Sequence, residues 1–473
     1  MTRRRYDLLH TRVIRAIEKR SRRDQTRPGE RRRFQKQHKR LEWPSNRLPS
    51  LKQIFTADNL IDTFYRLKSQ GGSAPGPDGV SYDALSHREV CQIVRQLTSE
   101  IVERCYRPSR PRYVRISKGS GRGTRTLSIR SICNRVVSAV LNDALSPFWE
   151  SRFSPRSFGF RRQLGIWDLL IAVERSIREG GRTVIVEHDV YHAFDEVPVD
   201  HAMTAHREHL EDERLLSLIE TILRGDKGHD CTIGIDQGDS YSPTALNVLL
   251  HRYLDSQFSA DEAFPLLFRY ADNLVVVGHS VPEARQAADR LQTLLSEIGM
   301  RLKDGENQPA DLRQPDSLVK LLGLTLRLEG NRIIYMLDDE CWNGLEGGIQ
   351  EAHQSIEPFR TANAVIHGWI EAIAPCLVSL QTEPFREKIL SKAALAGFRE
   401  VPREEVRRWS QSARDRWRSY RERHGPWGKE LEPTLVAAVP SGDRGPDREC
   451  LDESRIPEAG SADPASVDAG CPF

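Results

Sequence analysis

Residues 268–278 read FRYADNLVVVG and residues 183–190 read TVIVEHDV, and these two stretches decide the fold. In the first, the apolar runs Leu266–Tyr270 and Leu274–Val277 flank a short polar turn containing Asp272, the pattern of a β-hairpin with an acid at its tip. In the second, a Val/Ile-rich run marks a buried central strand that ends at Asp189. A hairpin tip and a strand end that each deliver a carboxylate gather negative charge in one place. Such a cluster is costly unless divalent cations neutralise it. One Asp at a strand end is usually structural, so the surrounding sequence has to decide.

Outward from this pair, helical periods alternate with short strands. Ala287, Leu291, Leu294, Leu295 and Ile298 keep one helical face between Pro282 and Gly299, and RLLSLIETILRG (214–225) behaves alike. Ser242-Pro243 reads as an N-cap and first-turn pair opening TALNVLLHRYLDSQF. LLGLTLRL and NRIIYM form a further hairpin around Glu329-Gly330. Helices mixed with antiparallel hairpins predict an α+β fold. Four regions are expected: a basic arm over 1–47, a mixed α/β region over 48–345, a helical region over 346–424, and an acidic, disordered tail over 425–473.

The 473 residues hold 70 Lys and Arg against 67 Asp and Glu, a net charge of +3 that hides an asymmetry. Residues 1–40 carry 16 bases against Asp7, Glu18, Asp24 and Glu30, a balance of +12. Residues 425–473 carry ten acids against four bases. The basic arm, with Arg31, Arg32, Arg33 and Lys36 at its densest point, suits a polyanion. The eight cysteines show no metal-ligand spacing and no disulfide framework, no secretory signal is visible, and no apolar run is long enough for a bilayer. A cytoplasmic protein without a membrane partner is expected.

The motifs beyond the two strands occur in a telling order. They are PGPDGVS around Gly76–Val80, KGSGRGTRTLSI at 118–129, FSPRSFGFRR at 153–162, HDVYHAFDEV around Asp189, GIDQGDSYSP around Gln237-Gly238, Tyr270-Ala271-Asp272-Asn273, KLLGLTL around Leu322-Gly323, and IHGWI at 366–370. In this order the chain resembles the reverse transcriptases of group II introns and their bacterial relatives. The resemblance covers about residues 48–380 and implies a right-hand polymerase: fingers and palm over 48–345 with an antiparallel palm sheet, then a helical thumb or maturase-like region.

It also implies roles. Asp189 and Asp272, with the backbone carbonyl of Val190, would hold two Mg²⁺ ions about 4 Å apart. Asn273 would complete the catalytic turn. Phe194 would exclude a 2′-hydroxyl, Lys118 and Arg125 would grip the triphosphate, and Gln237, Gly238 and Tyr270 would line the nascent base pair. The partners implied are an RNA template, a DNA primer and deoxynucleotides, with a structured intron-like RNA as a further candidate.

Several positions depart from the family pattern. The family's YADD is YADN here, so Asn273 removes a negative charge facing the metals, and Mn²⁺ becomes a candidate preferred ion. QGDSYSP places Asp239 and Tyr241 in an expected nucleotide groove. RTLSIR, GFRRQLG and LKDGEN also differ, the last leaving no lysine in clean alignment. On this reading Asn273→Asp is expected to raise activity.

After Pro384, twelve bases are interleaved with Trp409, Trp417 and Tyr420. Arg407, Arg408, Trp409 and Trp417 are therefore candidate nucleic-acid contacts, by backbone neutralisation and base stacking; the alternative is a helix packing its tryptophans inward. Three functions stand at this point: primer extension on RNA, RNA binding of maturase type with impaired catalysis, and untemplated or protein-primed DNA synthesis.

Overall fold

The first half of strand β3 (Val184–Asp189), Val184 to Val186, is apolar because both faces are covered there, and the polar Glu187, His188 and Asp189 follow at its less buried end. Val184 and Val186 point into one core and Ile185 into another, as the two-residue period of a strand demands. The computed structural model describes residues 43–44, 48–71, 74–117, 124–258, 265–305, 307–330 and 332–425. The basic arm with Arg31, Arg32, Arg33 and Lys36, the expected triphosphate contact Lys118, and the acidic tail beyond Gly425 lie outside the described residues.

The first part holds helices α1 (Ala57–Ser69) and α2 (His87–Val102), then the antiparallel pair β1 (Arg112–Ser117) and β2 (Thr124–Ile129). Helices α3 (Ile132–Glu150) and α4 (Ile166–Arg178) lead into β3. Then come α5 (Val199–Arg207), α6 (Glu213–Arg224) and α7 (Ser242–Leu250). The α6 helix buries Leu215, Leu216, Leu218, Ile219, Ile222 and Leu223 along one face. At roughly 1.5–3 kcal/mol per fully buried aliphatic side chain, that face anchors it. Helix α7 begins at Ser242 with Tyr241 as N-cap, one residue earlier than expected, and runs into a π-turn at His251–Asp255.

The central sheet is antiparallel in the order β4-β5-β3-β6, with β4 Leu266–Tyr270, β5 Asn273–Gly278 and β6 Ala310–Asp311. Helix α8 (Val281–Glu297) covers one face. A second sheet, β7 (Val319–Leu321), β8 (Leu324–Glu329) and β9 (Arg332–Met336), holds the expected hairpin. The chain ends in α9 (Asp339–Glu351), α10 (Pro358–Ala372), α11 (Thr382–Leu395) and α12 (Arg403–His424). The α+β expectation therefore holds. The boundary expected at residue 345 falls inside α9, because the C-terminal helices share one core with the central sheet. Helix α12 is fixed on α4 through Arg421–Glu174 and through the Tyr420 hydroxyl, which donates to Asp168. Among the described residues no helix is long and apolar enough to cross a membrane.

Candidate active site

The register of the sheet brings the two strand ends together. Asp189, last in β3, pairs with Asn273, first in β5, and Tyr270 pairs with Asn273 across the hairpin. Only Ala271 and Asp272 remain for the turn, and Ala271 takes the left-handed conformation at φ +57°. Val190 N–H donates to the Asp272 carbonyl at 3.1 Å, so the backbones that carry Asp189 and Asp272 are linked directly. Asp189, Val190, Tyr270, Asp272 and Asn273 are thus assembled at one edge of the sheet.

Asn273 is more than a missing charge. With its amide nitrogen turned to the carboxylates, it donates to Asp189 Oδ1 at 2.6 Å and to Glu187 Oε1 at 2.9 Å. Glu187 lies two residues before Asp189 and so on the same face of β3. Its other oxygen accepts from Leu322 N–H at 2.8 Å, in a backbone turn where Leu322 and Gly323 both have positive φ. Burial, opposed by that hydrogen bond and reinforced by Asp189, pushes the Glu187 carboxyl up to about 7. The neighbouring His188 is held below the usual imidazole range, first by burial.

A segment after α8 closes the site. Lys303 N–H donates to the Asp189 carbonyl at 2.8 Å, and its ammonium stands 3.8 Å from Asp189 Oδ2. Asn307 donates to the Glu187 carbonyl, and the Arg301 guanidinium lies 3.6 Å over the Tyr191 ring. The LKDGEN string therefore does supply a lysine. Lys303 was hidden because the segment is placed by backbone bonds to 189–191, which no spacing reveals.

Most of the remaining predicted residues are linked to one another or to β2 by backbone bonds and close contacts. Phe194 is half-buried, with its ring 6.0 Å from that of Phe160 in an edge-on contact, and its carbonyl accepts from Ile235 N–H. From Ile235 the chain reaches Gln237, whose carbonyl accepts from Ser128 N–H of β2 at 2.8 Å. Gly238 has φ +106°, and a Cβ there would meet Leu127 Cδ1 at 2.7 Å. The positive φ is what favours glycine here, and the atoms nearest the position belong to β2. Arg125, also on β2, is partly buried, and its Nε has no hydrogen-bond partner.

Three expectations need correction. Tyr241 does not line a groove: it is fully buried and its hydroxyl bonds His206 Nε2 at 2.8 Å. Asp239 is likewise internal, accepting from Ser138 Oγ and facing Arg130, which binds Asp236. Trp417 has 0% exposure and packs edge-on against Trp167 and Tyr335, so it is unavailable to stack a base. Trp409 is half-buried beside His367. Arg407 and Arg408 are exposed, paired with Glu404 and Glu405 one turn earlier on the same helix.

Among the described residues no three His, Cys, Asp or Glu side chains converge to enclose an ion by themselves. The donor set at the sheet edge is nonetheless all oxygen, with the Asp189 side chain 43% exposed. Carboxylates open to solvent fit Mg²⁺ or Mn²⁺, which keep water and substrate phosphate as ligands.

Comparisons with known proteins fall on the same region. Residues 116–306 match the family described as reverse transcriptase (RNA-dependent DNA polymerase). Protein YkfC of Escherichia coli is 30% identical over 233 residues, which cover 46% of this chain and 61% of that protein. The putative COX1/OXI3 intron 2 protein of Saccharomyces cerevisiae is 26% identical over 231 residues, covering 47% of this chain and 26% of that protein. The chain thus spans less than two thirds of the length of either relative.

Proposed function

We propose that this chain is a reverse transcriptase, an RNA-directed DNA polymerase extending a primer 3′-end with deoxynucleotides. The observation that carries the proposal is the pairing of Asp189 with the Asp272 turn through the β3–β5 register and the Val190–Asp272 backbone bond. In this reading the central sheet is the palm, β1 and β2 belong to the fingers, and α9 to α12 form the thumb.

Asp189 and Asp272 would hold the divalent ions. When bound, these ions would lower the pKa of the primer hydroxyl and offset the charge of the departing pyrophosphate. Asn273 keeps the Asp189 carboxylate turned to a fixed direction. Lys303, exposed beside Asp189, places a positive charge where triphosphate enters. Phe194, braced by Phe160, stands as the steric wall against a ribose 2′-hydroxyl. Arg125, together with Lys118, would supply positive charge to the phosphates. Gln237 and Gly238 join this wall to β2, and Tyr270 flanks the turn.

One observation favours a second reading, RNA binding of maturase type without synthesis. The Asn273 amide already satisfies Asp189 and Glu187, which leaves them less in need of a cation. Primer extension on an RNA template in Mg²⁺ and separately in Mn²⁺, with Asp189→Ala alongside, decides between them. Template-dependent product lost in the variant supports the polymerase. Tight RNA binding with no product in either metal supports the second reading.

A further inference from the structure

The hairpin tip is held from behind by a buried charge that no metal contact explains. Arg269 is 1% exposed. Its Nε and Nη2 donate to the two oxygens of Asp255 at 2.8 and 2.6 Å, and its Nη1 donates to Asn247 Oδ1 at 2.7 Å and to the Ala271 carbonyl at 2.9 Å. The last bond fixes the residue whose left-handed backbone makes the turn. Asn247 in turn donates to the Gly159 carbonyl at 2.9 Å, and a Cβ on Gly159 would lie 2.1 Å from Ala271 N. The tip thus rests on Gly159 and is tied by Arg269.

The clamp depends on the π-turn. Eight residues after Asn247, a regular α-helix would point about 80° away from it. The wider turn at His251–Asp255 removes much of that offset and brings Asp255 round to the same guanidinium. Both acceptors on α7 and its extension are buried, at 0% and 4% exposure. A guanidinium held by a carboxylate, an amide and a backbone carbonyl has one preferred placement, because its donors form a fixed fork. That rigidity is transmitted through one bond to Ala271, the residue before Asp272.

We propose that Arg269, clamped by Asp255 and Asn247, is a positioning residue that sets where Asp272 presents its carboxylate to a divalent cation. The inference rests on the reading of Asp272 as a metal ligand. Lysine at 269 keeps the charge but offers no fork, so the tip loses its tie to Asp255 and Ala271 together.

The test uses the full chain and Mn²⁺ alone, with free Mn²⁺ counted by electron paramagnetic resonance well below each variant's melting point. Arg269→Lys is expected to raise the Mn²⁺ Kd tenfold or more. In primer extension it should lower kcat more than it changes the deoxynucleotide KM. Glu174→Gln breaks the buried pair with Arg421, remote from the tip, and serves as the control for lost stability without lost positioning. Should Arg269→Lys not fold, Asn247→Ser keeps the Arg269–Asp255 pair and removes the amide that links Arg269 to Gly159; a raised Mn²⁺ Kd is again expected. Wild-type Mn²⁺ affinity in the folded variant, or an equal loss in Glu174→Gln, overturns the proposal. A wild-type protein that binds Mn²⁺ but makes no DNA, with Kd still raised by the variant, refutes the polymerase reading and leaves the positioning role standing. A wild-type protein that binds no Mn²⁺ overturns both.

Discussion

Adding one methyl group at Gly159 should displace the turn that carries Asp272. A Cβ there would meet Ala271 N at 2.1 Å, the Tyr270 carbonyl carbon at 2.8 Å and Ala271 Cα at 2.9 Å. Real Cβ atoms essentially never approach closer than 3.0 Å, so Gly159→Ala demands a separation of at least 0.9 Å between the two backbones. Neither side yields easily. Phe158 N–H donates to the Arg269 carbonyl at 2.8 Å, Arg269 N–H to the Arg156 carbonyl at 2.9 Å, and Asn247 to the Gly159 carbonyl at 2.9 Å. The strain of such overpacking is about 1–3 kcal/mol. A shift of about 1 Å in a reacting group lowers rate by about a hundredfold.

The assay is single-turnover primer extension at saturating metal and deoxynucleotide, with the melting temperature measured in parallel. The expected result for Gly159→Ala is a rate about a hundredfold down and a lowered melting temperature. Gly368→Ala, within α10 and with open space around its Cβ, is the control. It should keep the rate and gain up to about 1 kcal/mol of helix propensity. A Gly159→Ala enzyme with full rate refutes the claim that this contact sets the turn, whatever its melting temperature.

Asn273→Asp, expected from sequence to raise activity, should instead lower the metal-free melting temperature. It removes two charge-assisted hydrogen bonds worth roughly 1.5–3 kcal/mol each and sets a third carboxylate beside Asp189 and Glu187. Saturating Mn²⁺ should restore it, and an unchanged metal-free melting temperature would sink the account. His206 is buried, donates from Nδ1 to the Ala202 carbonyl and is held down to about 4, mainly by burial. A lowered imidazole pKa means stability complete above pH 6.5 and lost as pH falls towards 4, about 3 kcal/mol in all. Denaturant titrations across that window should show the loss and His206→Gln should flatten it; equal slopes would remove His206 as the cause. Trp417→Ala should cost about 3–5 kcal/mol, whereas Arg407→Ala with Arg408→Ala should leave the melting temperature nearly unchanged, since exposed pairs contribute little. Calorimetry checks both, and a tolerated Trp417→Ala would return that residue to the surface. Deleting residues 1–40 removes a balance of +12 and should flatten the salt dependence of RNA affinity; an unaltered slope would exclude the arm as a contact.

The sheet edge was legible because its signal is local. A β-branched run ending in Asp189 and two apolar runs around Asp272 fix strand identity, and strand pairing then fixes neighbours. The same rule of alternation, applied two residues back, points to Glu187, which was within reach of the sequence and overlooked. Tyr241, Asp239 and Trp417 were misplaced for a different reason. Motif position says which element a residue sits on but not which way its side chain faces, and each of these three turns inward to satisfy a partner distant in sequence: Ser138, His206 or Trp167.

Lys303, Gly159 and the Arg269–Asp255–Asn247 clamp depend on contacts between segments 14 to 114 positions apart, none implied by periodicity. The π-turn is the clearest instance. Its residues, HRYLD, continue an ordinary helical pattern, yet the structure spends a regular turn there to aim Asp255 at a buried arginine. Local regularity given up for a buried charge network, directly behind the turn that carries Asp272, is hard to account for by packing, since an apolar side chain at 269 would fill the same space without the strain. The arrangement makes sense if what it secures is the position of one carboxylate.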